Sequence, residues 1–318
     1  MYEGSVFMDW EERKEIVNIA IQYYYKEMTQ DQIAKKLKVS RSVISRSLQK
    51  AKNMGIVNFY IKDESFPIIK MQSDLEEKFN INKVIIAPTY NLSETEIFYS
   101  VVQYAIHFLR DELKNVNRVG ISWGHTLSTL ARQFPYEKNE HLTLFPLIGG
   151  MSNSHIEIHS NQICYDLMKK FQCNCHFLYA PALVQDAAMK ENFYASDILE
   201  AGRNVDMALL GIANPFGKNN LMRKIGYITN RDLKEFDDLN VVGDINSRFF
   251  NASGVEVDCR INNHIVGVSL NDIKNIPHVV LIASGVEKKK AILTAVKAGY
   301  AHTLITDEAI AHYLLHHE

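Results

Sequence analysis

Arg41, Ser42, Ser45, Arg46, Gln49 and Lys50 are spaced so that one side of a helix collects them all. Their chemistry suits a duplex: Arg grips guanine bidentately, Gln pairs with adenine, and hydroxyls and a helix N-terminus serve phosphates. From Thr29 to Met54 seven Lys or Arg face a single acid, Asp31, a local charge of +6 on a chain whose formal net charge is -2. That asymmetry points to one surface that meets a polyanion. A solvated helix face is the ordinary explanation of such charges, and it has to be weighed against what surrounds them.

A second set of residues stands at the ends of short apolar runs. In "VGISWGHTLSTLA" a strand is expected to end at Ser122, Gly124 permits a tight approach, and His125 and Thr126 open a helix whose free N–H groups suit an anion. Gly149 and Gly150 follow "FPLI", Asp244 follows "VVG", Ser284 and Gly285 follow "VLIA" with Lys288 just beyond, and Asp307 follows "HTLIT". Together they offer backbone donors, a cation for phosphate and acids for sugar hydroxyls. A polyol phosphate is the natural candidate, against the blander reading of plain turns into helices.

The elements that must hold the first set are two short helices. Thr29 and Gln32 have the spacing of a capping box, and Ile33, Ala34 and Leu37 share one face of the helix it starts. Ser40 is an N-cap for the second, in which Ile44, Leu48 and Ala51 recur at helical spacing. Joined by the three-residue turn "KVS", they make a full helix-turn-helix pattern, which favours DNA over a merely solvated face. Lys38 stands where such a turn enters the left-handed region, at a cost of about 1 kcal/mol. The next segment, "GIVNFYI", reads as a strand, Asp63 to Pro67 as a boundary, and "PIIKMQSDLEEKFN" as a helix joining two domains.

The second set needs strand ends. From Lys83 on, "KVIIAP", "RVGIS", "LTLFPLIGG", "HFLYAP", "MALLGIAN", "VVLIAS" and "HTLIT" read as strands buried on both faces. Helices are expected at Ser93 to Lys114, Thr126 to Phe134, Lys288 to Ala298 and Glu308 to His316. Apolar strands joined by helices argue for a mainly parallel sheet covered on both sides, with ligands beyond the carboxyl ends of its strands. The expected architecture is α/β: a winged-helix-like helix-turn-helix domain at 1–65, then a doubly wound, mainly parallel domain at 66–318 for effector binding and oligomerisation.

At 318 residues, with 47% hydrophobic and 23% charged residues, the chain has the composition and length of two globular units. No run approaches the roughly 18 apolar residues of a membrane span, and "MYEGSVFMDWEERKE" lacks a signal-peptide core, so a cytoplasmic protein is expected, with no membrane partner. Cys164, Cys173, Cys175 and Cys259 read as reduced thiols in ordinary packing. His155 and His159 in "HIEIH" lack an evident third ligand, so neither a metal nor any other cofactor is expected. Tyr23, Tyr24 and Tyr25 read as packing for the first helices rather than a base-stacking platform.

With these residues in place, the chain resembles the SorC family of bacterial sugar-responsive transcriptional regulators, the deoxyribonucleoside-regulator-like group, over nearly its whole length. "TQDQIAKKLKVSRSVISRSL", "VGISWGHTL", "PLIGG", "APALV", "DMALLGIAN", "VVGDINSRFFNASG", "SGVEKKKAI" and "LITDE" carry the likeness by their order and spacing. The resemblance implies an effector domain similar in fold to sugar-phosphate isomerases. It also implies a homodimer or homotetramer on double-stranded operator DNA and a phosphorylated sugar that shifts the assembly between bound and released states. Carried over, Ser122, Gly124, His125 and Thr126 form the phosphate loop, Lys288 is a second anion contact, and Gly149, Gly150, Asp244 and Asp307 line the rest. Two positions depart from the pattern. Ser284 replaces the first of two glycines and is expected to narrow the pocket, and Ile148 leaves no lysine before Gly149 for a Schiff base, so binding should be noncovalent.

The alternative is an isomerase-like enzyme with an accessory DNA-binding domain, since Asp244, Asp307, His125 and Lys288 include enough acids and bases for proton transfer. A basic helix-turn-helix has little place in a catalytic chain, and no catalytic residue is assigned.

Overall fold

A computed structural model of the chain describes residues 10–57, 63, 65–151, 155–194 and 197–317. The chain divides into two compact units, Met1–Phe66 and Pro67–Glu318.

The first unit holds helices α1 (Trp10–Tyr24), α2 (Gln30–Leu37) and α3 (Arg41–Asn53). The capping box forms as the spacing predicts: the Thr29 hydroxyl accepts from the Gln32 N–H, and the Gln32 side-chain Oε1 accepts from the Thr29 N–H at 2.8 Å. Ile19 of α1, Ile33 and Ala34 of α2 and Ile44 and Leu48 of α3 close one small core, with Tyr23 and Tyr24 packed against it. Tyr25 does not join them and is exposed, which corrects its expected packing role. Ile33 and Ile44 are wholly buried, each contributing about 1.5–3 kcal/mol. Gly55 to Val57 form a turn and bend, and the remainder of the expected strand, 58–61, lies outside the described residues.

Among the described residues the second unit holds ten strands: β1 (Lys83–Ala87), β2 (Arg118–Ile121), β3 (Thr143–Pro146), β4 (Asn174–Cys175), β5 (Met207–Leu210), β6 (Ile212–Ala213), β7 (Val241–Ile245), β8 (Arg248–Asn251), β9 (His278–Ile282) and β10 (Thr303–Asp307). Seven form one sheet in the order β1-β10-β9-β5-β2-β3-β4, every pairing parallel. Alternate residues enter opposite cores. Ala208, Leu210, Val279 and Leu281 face a layer that includes α4 (Phe66–Phe79) and the helices Lys289–Lys297 and Glu308–His316. Met207, Leu209, Val280 and Ile282 face α5 (Glu94–Glu112) and α6 (His125–Gln133). Burial on both faces explains the continuous apolar runs.

Strand β1 is an edge, and its free N–H groups are not left open. Val84 donates to the Glu76 carboxylate at 2.8 Å and Ile86 to the Gln72 side-chain oxygen at 3.0 Å, so α4 covers the edge with two side chains one helical turn apart.

Three expectations are corrected. "HFLYAP" is not a strand; pairing there is confined to Asn174 and Cys175, and only Pro181 makes a single bridge, with Gly150. "MALLGIAN" is split: β5 stays in the large sheet, and beyond Gly211 β6 enters a separate antiparallel sheet, β6-β7-β8. Asp244 therefore lies within β7, opposite Ala213 and Phe249, and not at the carboxyl end of a parallel strand. Alternation alone could not assign β7 to a second sheet, because both of its faces are covered.

Candidate functional site

On α3 the six polar positions Arg41, Ser42, Ser45, Arg46, Gln49 and Lys50 are all exposed, while Ile44, Leu48 and Ala51 are buried. The face is held by local bonds: the Ser40 and Ser42 hydroxyls lie 2.8 Å apart, and Arg46 Nε donates to the Ser42 carbonyl at 3.3 Å. Gln49 donates to Asn53 at 3.0 Å. The Lys50 ammonium is paired with Glu12 of α1, and Arg41 Nε lies 3.9 Å from the Asp31 carboxylate. Lys38, at the turn before α3, adopts the left-handed conformation with φ 55° and ψ 39°.

In the second unit a cavity of about 240 Å³ opens where β2 runs into α6. Gly124 turns the chain with φ +111°, a conformation costly for any other residue type, and its carbonyl accepts from Ser128 N at 3.0 Å to begin the helix. Gly124 brings no side-chain cap, so the first-turn N–H groups stay available. Ser122, Gly124, His125 and Thr126 line this end of the cavity. Desolvation holds the His125 imidazole below its ordinary pKa; Glu157 opposes this, and Lys224, His155 and Arg132 add to it.

The β7–β8 hairpin supplies the opposite wall. Its turn residues Asn246 and Ser247 have φ of 52° and 60°, the paired positive values of a two-residue hairpin turn. Ser122 Oγ donates to Asn246 Oδ1 at 2.8 Å, and Trp123 Nε1 to Ser247 Oγ at 2.9 Å, tying the turn to the β2–α6 loop. Asn246 Nδ2 donates to the carbonyls of Leu147 and Val268. Asp244 is 5% exposed, and its Oδ1 has no hydrogen-bond partner among the described residues. Burial pushes its carboxyl up to about 7, against the Ser247 N–H and the Lys288 charge, which pull it down. Lys288 is half-buried, and desolvation lowers its ammonium pKa against the pull of Glu287, Asp244 and Asp307.

Six of the nine expected effector residues thus share one cavity: Ser122, Gly124, His125, Thr126, Asp244 and Lys288. Gly149, Gly150 and Asp307 do not line it. A Cβ on Gly149 would meet the carbonyl oxygens of Ala180 and Pro181 at 2.6 Å, so this glycine serves a close backbone approach. Gly150 donates to the Ala180 carbonyl at 2.8 Å in the same crossing. Asp307 caps the helix Glu308–His316 through Ile310 N and holds Gly285 N at 2.9 Å, which fixes the segment leading to Lys288. Ser284 is not on the wall either, so the expected narrowing does not arise there.

Trp123, Asn214, Asn220, Asn246 and Glu287 also line the cavity, and the sequence reading passed over them. "ANPFGKNN", rich in Asn and Gly after an apolar run, carries a legible loop signal for two of these. In "HIEIH" the segment Ile156–Ile158 forms a 3₁₀ turn whose Ile158 carbonyl accepts from Gly124 N at 2.9 Å, so it buttresses the anion loop.

A family model described as "Putative sugar-binding domain" matches residues 63–316, and another described as "Bacterial regulatory protein, arsR family" matches residues 11–58. The deoxyribonucleoside regulator of Bacillus subtilis is 29% identical, covering 97% of this chain and 99% of its own length. Among solved structures, the full-length sorbitol operon regulator SorC of Klebsiella pneumoniae superposes with a TM-score of 0.74 at 26% identity, over 97% of this chain and 99% of that one. A DeoR family transcriptional regulator from Listeria monocytogenes superposes with a TM-score of 0.73 at 40% identity, over 77% of this chain and 98% of that one.

Proposed function

The chain belongs to the SorC family of sugar-binding transcriptional regulators, and from that premise we propose that a phosphorylated sugar seated in the 240 Å³ cavity controls its hold on operator DNA. The exposed face of α3 reads the duplex. Arg41 and Arg46 supply charge, Gln49 and the serines supply hydrogen bonds, and the buried Ile44 and Leu48 hold the helix in place. The regulator reading prevails over an isomerase because whole-length relatives are named as regulators.

The observation that carries the effector reading is the cavity wall itself: first-turn amides of α6 at one end, a buried carboxylate with one open oxygen at the other. Phosphate answers the first and hydroxyls the second. Binding then shifts the population between two arrangements of a homodimer or homotetramer, in which paired α3 helices do or do not match the roughly one-turn spacing of half-sites. No described helix is long and apolar enough to cross a membrane, and the work proposed here belongs in the cytoplasm, where the DNA is.

The test is fluorescence anisotropy of the full chain on DNA from upstream of its own gene, titrated with a panel of phosphorylated and plain sugars. Submicromolar binding that at least one phosphorylated sugar changes tenfold is expected. Binding unaffected by every phosphorylated member, or turnover of any of them, would overturn the reading.

A further inference from the structure

Resting on the phosphorylated-sugar reading, we propose that the effector carries one phosphate only, and that Asp244 and Glu287 form a wall that takes hydroxyls and turns a second phosphate away. The cavity is lined by one ammonium, Lys288, against two carboxylates, Asp244 and Glu287. The other basic group on the wall, His125, is held below its ordinary pKa by desolvation and stands at the α6 end. Lys224 and Arg132 lie near that same histidine, opposed there by Glu157, and the first-turn amides of α6 add their positive end.

The far wall commits several of its amide donors to its own frame. Asn214 donates to the Glu287 carbonyl at 2.8 Å, Asn220 to the Asn214 carbonyl at 3.1 Å, and Asn246 to two carbonyls at 3.1 and 3.2 Å. The Ser122 hydroxyl proton is committed to Asn246. Asn214 and Asn220 each keep a second amide N–H for a ligand, and Asp244 Oδ1 remains an open buried acceptor. A buried acceptor without a partner is costly, and a ligand hydroxyl relieves it. A phosphate brings no donor when dianionic, and at close range it meets two like charges, for which Lys288 is the single counter-charge. The size agrees: about 240 Å³ lies below the roughly 300–1,000 Å³ of drug-sized sites, so the cavity suits a small sugar with one charged end.

Isothermal titration at pH 8 on the full chain compares matched pairs: fructose 6-phosphate with fructose 1,6-bisphosphate, ribulose 5-phosphate with ribulose 1,5-bisphosphate, and each parent sugar. The monophosphate of the better pair should bind at least tenfold tighter than its bisphosphate. Asp244→Asn and, separately, Glu287→Gln should each shrink that gap several-fold. A bisphosphate that binds as tightly as its monophosphate overturns this inference and leaves the phosphorylated-sugar reading standing. A gap unchanged in both variants overturns the role given to the wall. A panel in which no phosphate ester binds removes the reading on which the inference rests, and the inference with it.

Discussion

Ser122 donates its hydroxyl proton to Asn246 Oδ1 across 2.8 Å, joining two loops 124 residues apart in the chain. Both residues are buried, and the same asparagine holds the carbonyls of Leu147 and Val268. One amide thus ties the anion loop, the β7–β8 turn and the strand ends behind them into a fixed frame. Ser122→Ala deprives the buried Asn246 oxygen of its donor, at a cost of about 1–3 kcal/mol. Thermal melts of the full chain should show the larger unit unfolding several degrees earlier, at roughly 2–4 °C per kcal/mol for its size. An unchanged midpoint would contradict the closed frame.

Much of this frame was legible in the sequence, and the part that was not has a physical reason. Thr29–Gln32 and Ser93–Glu96 announce helix starts through local bonds, so a short window suffices. Gly124 and His125 follow an apolar run, and strand-end logic places them at a ligand. Asn246 and Glu287 reach the cavity through a hairpin and a 3₁₀ turn whose partners are remote in sequence, and no local period encodes such a meeting. Gly149 and Gly150 stand off the cavity, and the sequence did not signal it for a related reason. A glycine needed for a close backbone crossing and one needed for a ligand look alike until the crossing chain, here Ala180 and Pro181, is seen.

Asp244 gives stability a pH dependence of definite sign. Its carboxyl rises from 3.8 to about 7 on folding, so between those values the native state holds a proton that the unfolded chain has released. Stability from this group falls as pH climbs through that window, is free of penalty below about pH 4, and bears the full cost, about 4 kcal/mol, above pH 7. Asp244→Asn should therefore raise the melting temperature of the unliganded chain at pH 8 and change it little at pH 4.5. The two midpoints, read by circular dichroism, decide it. A variant less stable than the parent at pH 8 would count against a buried carboxylate whose desolvation outweighs its bonds.

Lys38 holds φ 55° at the turn between α2 and α3, where its Cβ costs about 1–2 kcal/mol and glycine's does not exist. Some of that gain is offset, because glycine enlarges the unfolded ensemble. Lys38→Gly should leave a net stabilisation of about 0.5–1 kcal/mol. Hydrogen exchange on the full chain should show two- to fivefold greater protection of the slowest amides in α2 and α3. Slower exchange elsewhere with none in these helices would assign the turn strain no weight.

Arg46 and Lys50 should separate on DNA, although both are exposed basic residues of α3. Among the described residues Arg46 Nε donates to the Ser42 carbonyl of its own helix alone, whereas the Lys50 ammonium is already paired with Glu12. A duplex phosphate adds a partner to Arg46 but must compete with Glu12 for Lys50. Arg46→Ala should weaken operator binding by about 1–3 kcal/mol, with effector affinity unchanged. If the arginine meets a phosphate, the slope of log affinity against log salt drops by about one. Lys50→Ala should cost less, and Glu12→Gln, which frees the ammonium, should strengthen binding modestly at low salt. Anisotropy titrations at three salt concentrations distinguish these slopes. Equal losses for Arg46→Ala and Lys50→Ala, with no gain from Glu12→Gln, would show that the Glu12 pairing has no bearing on how α3 meets its duplex.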